Sequence, residues 1–479
     1  MDTSRHLDES RKRASRYLFQ VDSLRLHGIR ALLARLTASP PAWVFGLLRT
    51  VAAVLPLPGW RYLRVAPPSP EANAVLRWLQ RWLGDIPIPV WRPGWVLVTR
   101  DEDVREVLSH DKEFVVPWHL DVQLLNDGRL PGTPFILGLD RVGGQAQLYR
   151  KGLKEVMGAF RREDVGLVVA PRAAEYAASV VARAGTRPLD AIQDLFVDVF
   201  IDTCEQYLGV AVPAHVQHAE FYQWTVAVSG LLFGPPFERD RALRTAEAGA
   251  DRLAYLIDLA IEDALQNTPP RPAGPETRVM TRLARRHLAD PRDMSWETMR
   301  SIMMGMVTGS VPTNAIAAGH ILELLLSWPE AMELAYTAAA GGDDEQLSRC
   351  LFEVMRFRPL NPGPWRRCGK KPYVLARGTW RERKIRPGTY LLASTQSAMF
   401  DPRSVARPQR LDPARDEADS LLFGHALHWC AGKYIAQAQI TQAFKALLSQ
   451  GAIRRAAGAD GQLQCLGLFP EHLFVVRAP

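Results

Sequence analysis

The stretch LLFGHALHWCAG, residues 421–432, places Cys430 two residues after a histidine in a loop rich in glycine and alanine. Three interpretations compete for this cysteine. Most free cysteines behave as small buried hydrophobic residues. Alternatively, His425, His428 and Cys430 ligate zinc, although the sequence offers no second cluster of ligands to complete such a site. In the third interpretation, the Cys430 thiolate is the axial ligand of a heme iron.

The residues around Cys430 favour the third interpretation. Gly424 and Gly432 permit a close approach of the backbone to a porphyrin. The stretch GKYIAQAQITQAFKALL, which starts at residue 432, has an amphipathic helical pattern. The dipole and free N–H groups at its N-terminus are expected to lower the pKa of the Cys430 thiol. Phe423 can pack over the loop and keep water from the iron, and His428 is placed to reach a propionate.

This loop resembles the heme-binding loop of the cytochrome P450 superfamily, whose pattern is Phe-Gly-x-Gly-x-His/Arg-x-Cys-x-Gly. The matching residues are Phe423, Gly424, His428, Cys430 and Gly432. Ala426 stands where the second glycine is usual. The resemblance runs from residue 85 to the C-terminus. It implies that the cofactor is heme b and that Cys430 is the ligand of its iron.

A second motif lies upstream of this loop. FEVMR supplies Glu353 and Arg356, which are three residues apart and therefore share one face of a helix. The later stretch RPQRLDPARD resembles the meander segment of the superfamily, with Arg410 as the third member of a charged clamp. An unpaired buried charge would cost several kcal/mol, so we expect the three charges to satisfy one another.

The resemblance also implies partners for the two heme propionates. Arg366 matches the basic residue that begins the strand beside the heme, and Arg150 matches the arginine of the helix that crosses the heme edge. Ala146 stands where the superfamily often has a histidine. Arginine suits this role because it stays charged and binds carboxylates through two hydrogen bonds.

The distal helix departs from the superfamily. The run TGSVPTN keeps Gly309 for a close approach over the heme. Val311 takes the position of the usual acid and Pro312 that of the usual alcohol, so we predict that the proton relay is absent and that Pro312 kinks the helix. Thr313 and Asn314 are polar residues that could touch oxygen or substrate.

Apolar residues at the positions of the superfamily's substrate loops and distal helix predict a hydrophobic substrate. The predicted pocket residues are Trp118, Val307 and Phe469. We therefore expect a heme-thiolate oxidoreductase that inserts oxygen into a hydrophobic small molecule. The oxidant is either dioxygen, with electrons from a ferredoxin or flavodoxin, or hydrogen peroxide. Two alternatives stay open: a lipid-hydroperoxide isomerase or lyase that needs no reductase, and a non-catalytic heme carrier or sensor.

The elements that must position these residues are mainly helices. Apolar residues recur at three- and four-residue steps through most of residues 151–340, whereas strand patterns are confined to short segments such as WVLVT (95–99) and YVLARGTWRERKIRPGTYLLAS (373–394). We predict a mainly α fold with a small β portion. The predicted organisation is an N-terminal helical extension, residues 1–60, and one heme-thiolate catalytic domain, residues 61–479.

The composition bears on the partners of the protein and on its cellular compartment. The 479 residues carry a net charge of +8 that is spread along the chain, which favours a solvated basic surface and no nucleic-acid partner. The five cysteines are scattered and lack CxxC spacing, which indicates a reducing compartment. Arg49 and several prolines interrupt the apolar run 40–60, so we expect no transmembrane segment and a cytoplasmic protein, with contact to a membrane surface left open.

Overall fold

The structure is a computed structural model that describes residues 88–89, 94–119, 121–122, 138–140, 145–233, 239–269 and 276–477. All of them belong to the larger of the chain's two compact units, residues 79–479. The predicted N-terminal extension, residues 1–60, lies outside the described residues. The helices, in chain order, are α1 (Asp101–Ser109), α2 (Gln145–Ala159), α3 (Ala170–Ala184), α4 (Asp198–Thr203), α5 (His218–Phe233), α6 (Arg239–Asn267), α7 (Val279–Ala289), α8 (Trp296–Leu325), α9 (Pro329–Ala340), α10 (Asp344–Phe357), α11 (Thr395–Ala398) and α12 (Lys433–Leu448).

Helix α8 is the central element of the described fold. Ser295 caps its N-terminus by accepting a hydrogen bond from the Thr298 amide. Apolar residues lie on most sides of this helix, so it is buried along most of its length and packs against α5, α6, α10 and α12. The helix continues through Pro312. It therefore forms one wall along which side chains can be presented to a buried site.

The strands form small sheets at the periphery. In chain order they are β1 (Ile88–Pro89), β2 (Trp95–Val98), β3 (Phe114–Val115), β4 (Leu189–Asp190), β5 (Trp365–Cys368), β6 (Tyr373–Leu375), β7 (Arg383–Ile385), β8 (Tyr390–Ala393), β9 (Ile453–Arg455), β10 (Gln464–Leu466), β11 (Phe469–His472) and β12 (Phe474–Arg477). The largest sheet has the order β1-β2-β8-β5-β3, with β2 and β8 parallel. A second sheet has the order β4-β12-β9.

Two hairpins complete the β portion. Strands β6 and β7 pair with each other, as do β10 and β11. Pro387 and Gly388 separate β7 from β8, with Gly388 at a φ of 80°. These two strands belong to different sheets. The mainly α fold with a small β portion is confirmed.

One continuous helical stretch of the described residues, Val165–Ala184, is long and apolar enough to cross a membrane by length and composition. It consists of a π-helical turn, Val165–Val169, followed by α3, and it packs against α12. Core helices of water-soluble proteins share these properties, so this observation is weak evidence. The prediction that the chain has no transmembrane segment stays a prediction.

Candidate active site

A cavity of about 310 Å³ lies between α8 and the loop that precedes α12. The α8 wall includes Gly309 and Thr313, and the opposite wall includes Phe423 and Cys430. A methyl group added at Gly309 would meet no protein atom within 4 Å. Helix α8 therefore presents bare backbone to this cavity, as a flat cofactor requires.

Cys430 lies on the cavity wall, where its side chain is exposed. Its amide donates to the Phe423 carbonyl over 2.8 Å, which fixes the loop behind the sulfur. Burial among protein atoms raises the pKa of the Cys430 thiol, and the Gly432 N–H opposes this rise. The expected lowering of this pKa is not found for the protein alone, because the protein atoms around the thiol raise the pKa more than one amide donor lowers it, although the thiol is exposed to the cavity. Coordination to a metal would deprotonate the thiol in either case.

The tight turn before Cys430 depends on two left-handed residues. Gly424 has a φ of 80°, and a methyl group there would lie 3.0 Å from the His428 carbonyl oxygen. Ala426 has a φ of 53°. An L-residue in this conformation costs about 1–2 kcal/mol, so the alanine that replaces the usual glycine carries backbone strain.

We expect Ala426→Gly to raise the free energy of unfolding by up to about 1 kcal/mol, because relief of strain exceeds the entropy that glycine gains in the unfolded chain. Urea unfolding measures this change. Ala178→Gly is the control, since Ala178 is an exposed residue of α3 and its replacement should cost about 1 kcal/mol. Equal losses in the two variants would contradict the strain at Ala426.

Two buried polar groups border the same cavity. Arg366 is buried in β5, its guanidinium donates to the Trp365 carbonyl over 2.9 Å, and burial lowers its pKa to about 10. His428 Nε2 is buried, makes no hydrogen bond to any described residue, and lies 3.6 Å from Asp140 Oδ1. Burial also lowers the pKa of His428. A cation and an unused imidazole nitrogen at one cavity suit the carboxylates of a porphyrin.

Arg150 does not reach this cavity. The Arg150 side chain is exposed, whereas the preceding residue, Tyr149, is buried and lines the cavity. The Tyr149 hydroxyl donates to the Leu427 carbonyl over 2.5 Å, and its ring meets the His428 ring edge-on. Adjacent helical residues point in directions about 100° apart, so Tyr149 and not Arg150 lines the cavity. The propionate contact of Arg150 stays a prediction. Tyr149 carries no feature in the sequence that would have identified it.

The charged clamp forms with one change of partner. The Arg356 guanidinium binds both oxygens of Glu353 over 2.8 and 2.7 Å, and it also donates to the backbone carbonyls of Met399, Pro408 and Arg410. The second guanidinium on Glu353 belongs to Arg415, at 3.3 Å. Arg410 is exposed and contributes only its carbonyl oxygen, so its predicted side-chain role is wrong.

On the distal helix, two alcohols line the cavity, Ser310 and Thr313, and Thr313 is the one that lies one helical turn from Gly309. Its hydroxyl donates to the Gly309 carbonyl over 2.5 Å. Val311 and Pro312 are buried and do not line the cavity. The sequence placed the alcohol position one residue too early, since the residue one helical turn from Gly309 is Thr313. Among the described residues that line the cavity, none is aspartate or glutamate.

The carbonyl that Pro312 leaves without a donor has another partner. Residue 312 of a helix normally donates its N–H to the carbonyl of Thr308, and proline has no N–H. The Ser229 hydroxyl of α5 donates to this carbonyl over 2.5 Å, and both groups are buried. Sequence reasoning missed Ser229 because it lies 79 residues away from Thr308.

We expect Ser229→Ala to cost about 1–3 kcal/mol of unfolding free energy, because the Thr308 carbonyl would then be buried without a donor. In a Pro312→Ala background the restored amide would supply that donor, so the cost of Ser229→Ala should fall by at least half. Urea unfolding of the four proteins measures both values. Equal costs in the two backgrounds would contradict this role of Ser229.

The remaining predicted residues are divided between cavity and core. Trp118 is buried and lines the large cavity. Asn314 also lines it, with its amide donating to Gln439 over 2.7 Å. Phe469 lines a smaller cavity of about 190 Å³. Val307 is wholly buried and lines neither cavity, so its predicted place in the pocket is wrong.

The zinc interpretation finds no support in the described part of the chain. The described residues contain no group of three or more histidine, cysteine, aspartate or glutamate side chains that could hold a metal ion. In contrast, a cavity with a bare glycine wall, an exposed thiol opposite and a buried arginine beside it fits a flat, dianionic iron porphyrin.

Comparison with known proteins gives the same class. The chain is 25% identical over 375 residues to the erythromycin C-12 hydroxylase of Saccharopolyspora erythraea, covering 77% of this chain and 86% of the hydroxylase. It is 24% identical over 367 residues to the mycinamicin IV hydroxylase/epoxidase of Micromonospora griseorubida, covering 76% and 83%. The solved structure of epothilone D-bound cytochrome P450epoK superposes with a TM-score of 0.67 at 20% identity and covers 88% of this chain and 98% of that one. No protein-family model matches the chain.

The fold and these relatives define a heme-thiolate oxidoreductase. The chain belongs to the cytochrome P450 superfamily, and its cofactor is heme b.

Proposed function

We propose that this chain is a monooxygenase that uses dioxygen and two electrons to insert oxygen into a neutral hydrophobic small molecule. The observation that carries the proposal is the Thr313 hydroxyl, which lies on the cavity wall one helical turn from Gly309. When bound, heme with a thiolate ligand supplies the chemistry of O–O bond cleavage.

The chain's own residues have separate tasks in this proposal. Cys430 binds the iron, and Arg366 and His428 hold the carboxylates of the porphyrin at the buried edge of the cavity. Phe423, whose ring packs beside Phe352, keeps water from the sulfur. Thr313 would hold a hydroxyl proton at the cavity wall, which is the task of a positioned alcohol where the described lining residues include no acid.

The electron donor in this proposal is an acidic ferredoxin or flavodoxin. The exposed side chains of α2 and the following turn include Arg150, Lys154 and Arg162, and Arg162 lies 4.4 Å over the Tyr434 ring. Lys433, at the start of α12, is buried and pairs with Glu417. Its charge is therefore not presented to a partner.

We expect Arg162→Glu to slow reduction by such a donor about tenfold at low salt, and the difference should shrink at 0.5 M salt because screening weakens charge attraction. Stopped-flow reduction measures the rates. Arg386→Glu, an exposed arginine between β7 and β8, is the control with the same change of charge. A rate that does not depend on salt would remove this part of the proposal.

The oxidant is tested by supplying each candidate separately. The monooxygenase proposal predicts oxygenated tetralin from dioxygen with ferredoxin, its reductase and NADPH, as detected by mass spectrometry. Rapid anaerobic consumption of a fatty-acid hydroperoxide, without added electrons, would instead favour an isomerase or lyase. A spin-state change of the iron on addition of substrate would argue against a heme carrier.

We place the protein in the cytoplasm as part of the same proposal.

A further inference from the structure

A second cavity adjoins the active-site cavity in the described structure. Its volume is about 190 Å³, and Phe233, Leu360 and Asn361 line both cavities. The smaller cavity therefore extends the active site between the end of α5, helix α8 and the β10–β11 hairpin. Its other lining residues include Gly230, Ile316 and Phe469.

Asn361 differs from every other described residue that lines the smaller cavity. The other lining residues are glycine or have apolar side chains. The Asn361 side chain is half-buried and makes no hydrogen bond to any described residue. A polar group that borders an apolar cavity without a partner gains free energy when a ligand supplies one.

The backbone around Asn361 is held rigidly. Prolines at positions 359 and 362 flank it. The Pro362 carbonyl accepts hydrogen bonds from the backbone N–H of Gln396 and from the Ser394 hydroxyl, each over 3.2 Å. Gly363 packs so closely on β8 that an added methyl group would lie 1.9 Å from the Ala393 carbonyl oxygen. Because this segment is rigid, the Asn361 carboxamide is held in place before a ligand binds, which reduces the entropy cost of binding.

We propose that Asn361 is a specificity-determining residue that hydrogen-bonds an uncharged polar group, a carbonyl or a hydroxyl, on an otherwise apolar substrate. The inference rests on the proposed function and names its substrate class. An amide donates and accepts but carries no charge. No acidic or basic residue lines the smaller cavity in the described part of the chain. A charged ligand would lose its hydration there without compensation.

The test uses two probes with the same carbon skeleton. Tetralin has no polar group, and 2-tetralone adds one carbonyl oxygen. Titration calorimetry of the heme-loaded protein measures both dissociation constants. We expect Asn361→Leu to weaken 2-tetralone about fivefold and to leave tetralin within about twofold, because only the ketone loses a hydrogen bond. Asn267→Leu, at the end of α6, is the control and should change neither.

The proposal would be overturned if Asn361→Leu changed the dissociation constants of tetralin and 2-tetralone by the same factor. If that variant fails to fold, Asn361→Asp keeps the shape and loses the donor, so it should weaken 2-tetralone by a similar factor. Unchanged ketone binding in Asn361→Asp would also overturn it. The carbon monoxide spectrum of the reduced protein distinguishes failure of the proposed function from failure of this inference. A spectrum of the unsubstituted protein without the heme-thiolate band refutes the proposed function. A normal spectrum, together with unchanged probe binding in the variants, refutes only the role of Asn361.

Discussion

Arg356→Ala is expected to lower the free energy of unfolding by about 3–5 kcal/mol, which approaches the whole stability of many domains. The substitution leaves the Glu353 carboxylate buried with one of its two cations removed. It also leaves the Met399 and Pro408 carbonyls without the guanidinium that they accept from. Urea unfolding monitored by circular dichroism gives the change in free energy.

Arg415 and Arg410 provide a matched comparison for this prediction. Arg415→Ala should cost about 1–3 kcal/mol, because its buried side chain donates to Glu353 and to the meander backbone. Arg410→Ala should change stability by less than about 0.5 kcal/mol, since only its carbonyl takes part in the clamp. A larger loss at Arg410 than at Arg415 would contradict the clamp that the structure shows.

Thr313→Ala is expected to lower product formation from dioxygen and reductant at least tenfold, because general acid–base groups contribute about 10²–10⁴-fold. Electron consumption should continue without matching product. Hydrogen peroxide already contains the two electrons and two protons that dioxygen must acquire. Product formation driven by peroxide should therefore change little in Thr313→Ala. The measurement is product formed per NADPH consumed, compared with product formed from peroxide.

Thr308→Ala is the control for this experiment. Thr308 is an alcohol on the same helix, but it is buried, does not line the cavity and donates to the Met304 carbonyl. Its loss should leave the ratio of product to NADPH unchanged. If Thr313→Ala retains full coupling with dioxygen, the monooxygenase proposal loses its main support and a peroxide-dependent reaction becomes the better interpretation.

Features that depend on a few adjacent residues were predictable from the sequence. The loop around Cys430 is one, because glycine positions, the cysteine and the following helix all lie within one short stretch. Glu353 and Arg356 are another, since three-residue spacing on a helix brings the two side chains together. The mainly α fold followed from the apolar period of the long helices.

Features that depend on register or on distant segments were not predictable. Arg410 and Arg415 lie in one irregular loop, and only its folded path decides which guanidinium turns inward. Thr313 was named as a residue that could touch oxygen or substrate, but the alcohol position was assigned to Pro312. A helix rotates by about 100° per residue, so an error of one position changes which side chain faces the cavity. Ser229 was missed because its partner is a backbone carbonyl on another helix, which leaves no pattern in the sequence.

The most direct test of the account is the optical spectrum of the reduced, heme-loaded protein with carbon monoxide, recorded for the unsubstituted chain and for Cys430→Ser. Thiolate ligation predicts the long-wavelength Soret band of a heme-thiolate protein in the first and its loss in the second. The same band at the same wavelength in both proteins would contradict the assignment of Cys430 as the ligand of the iron.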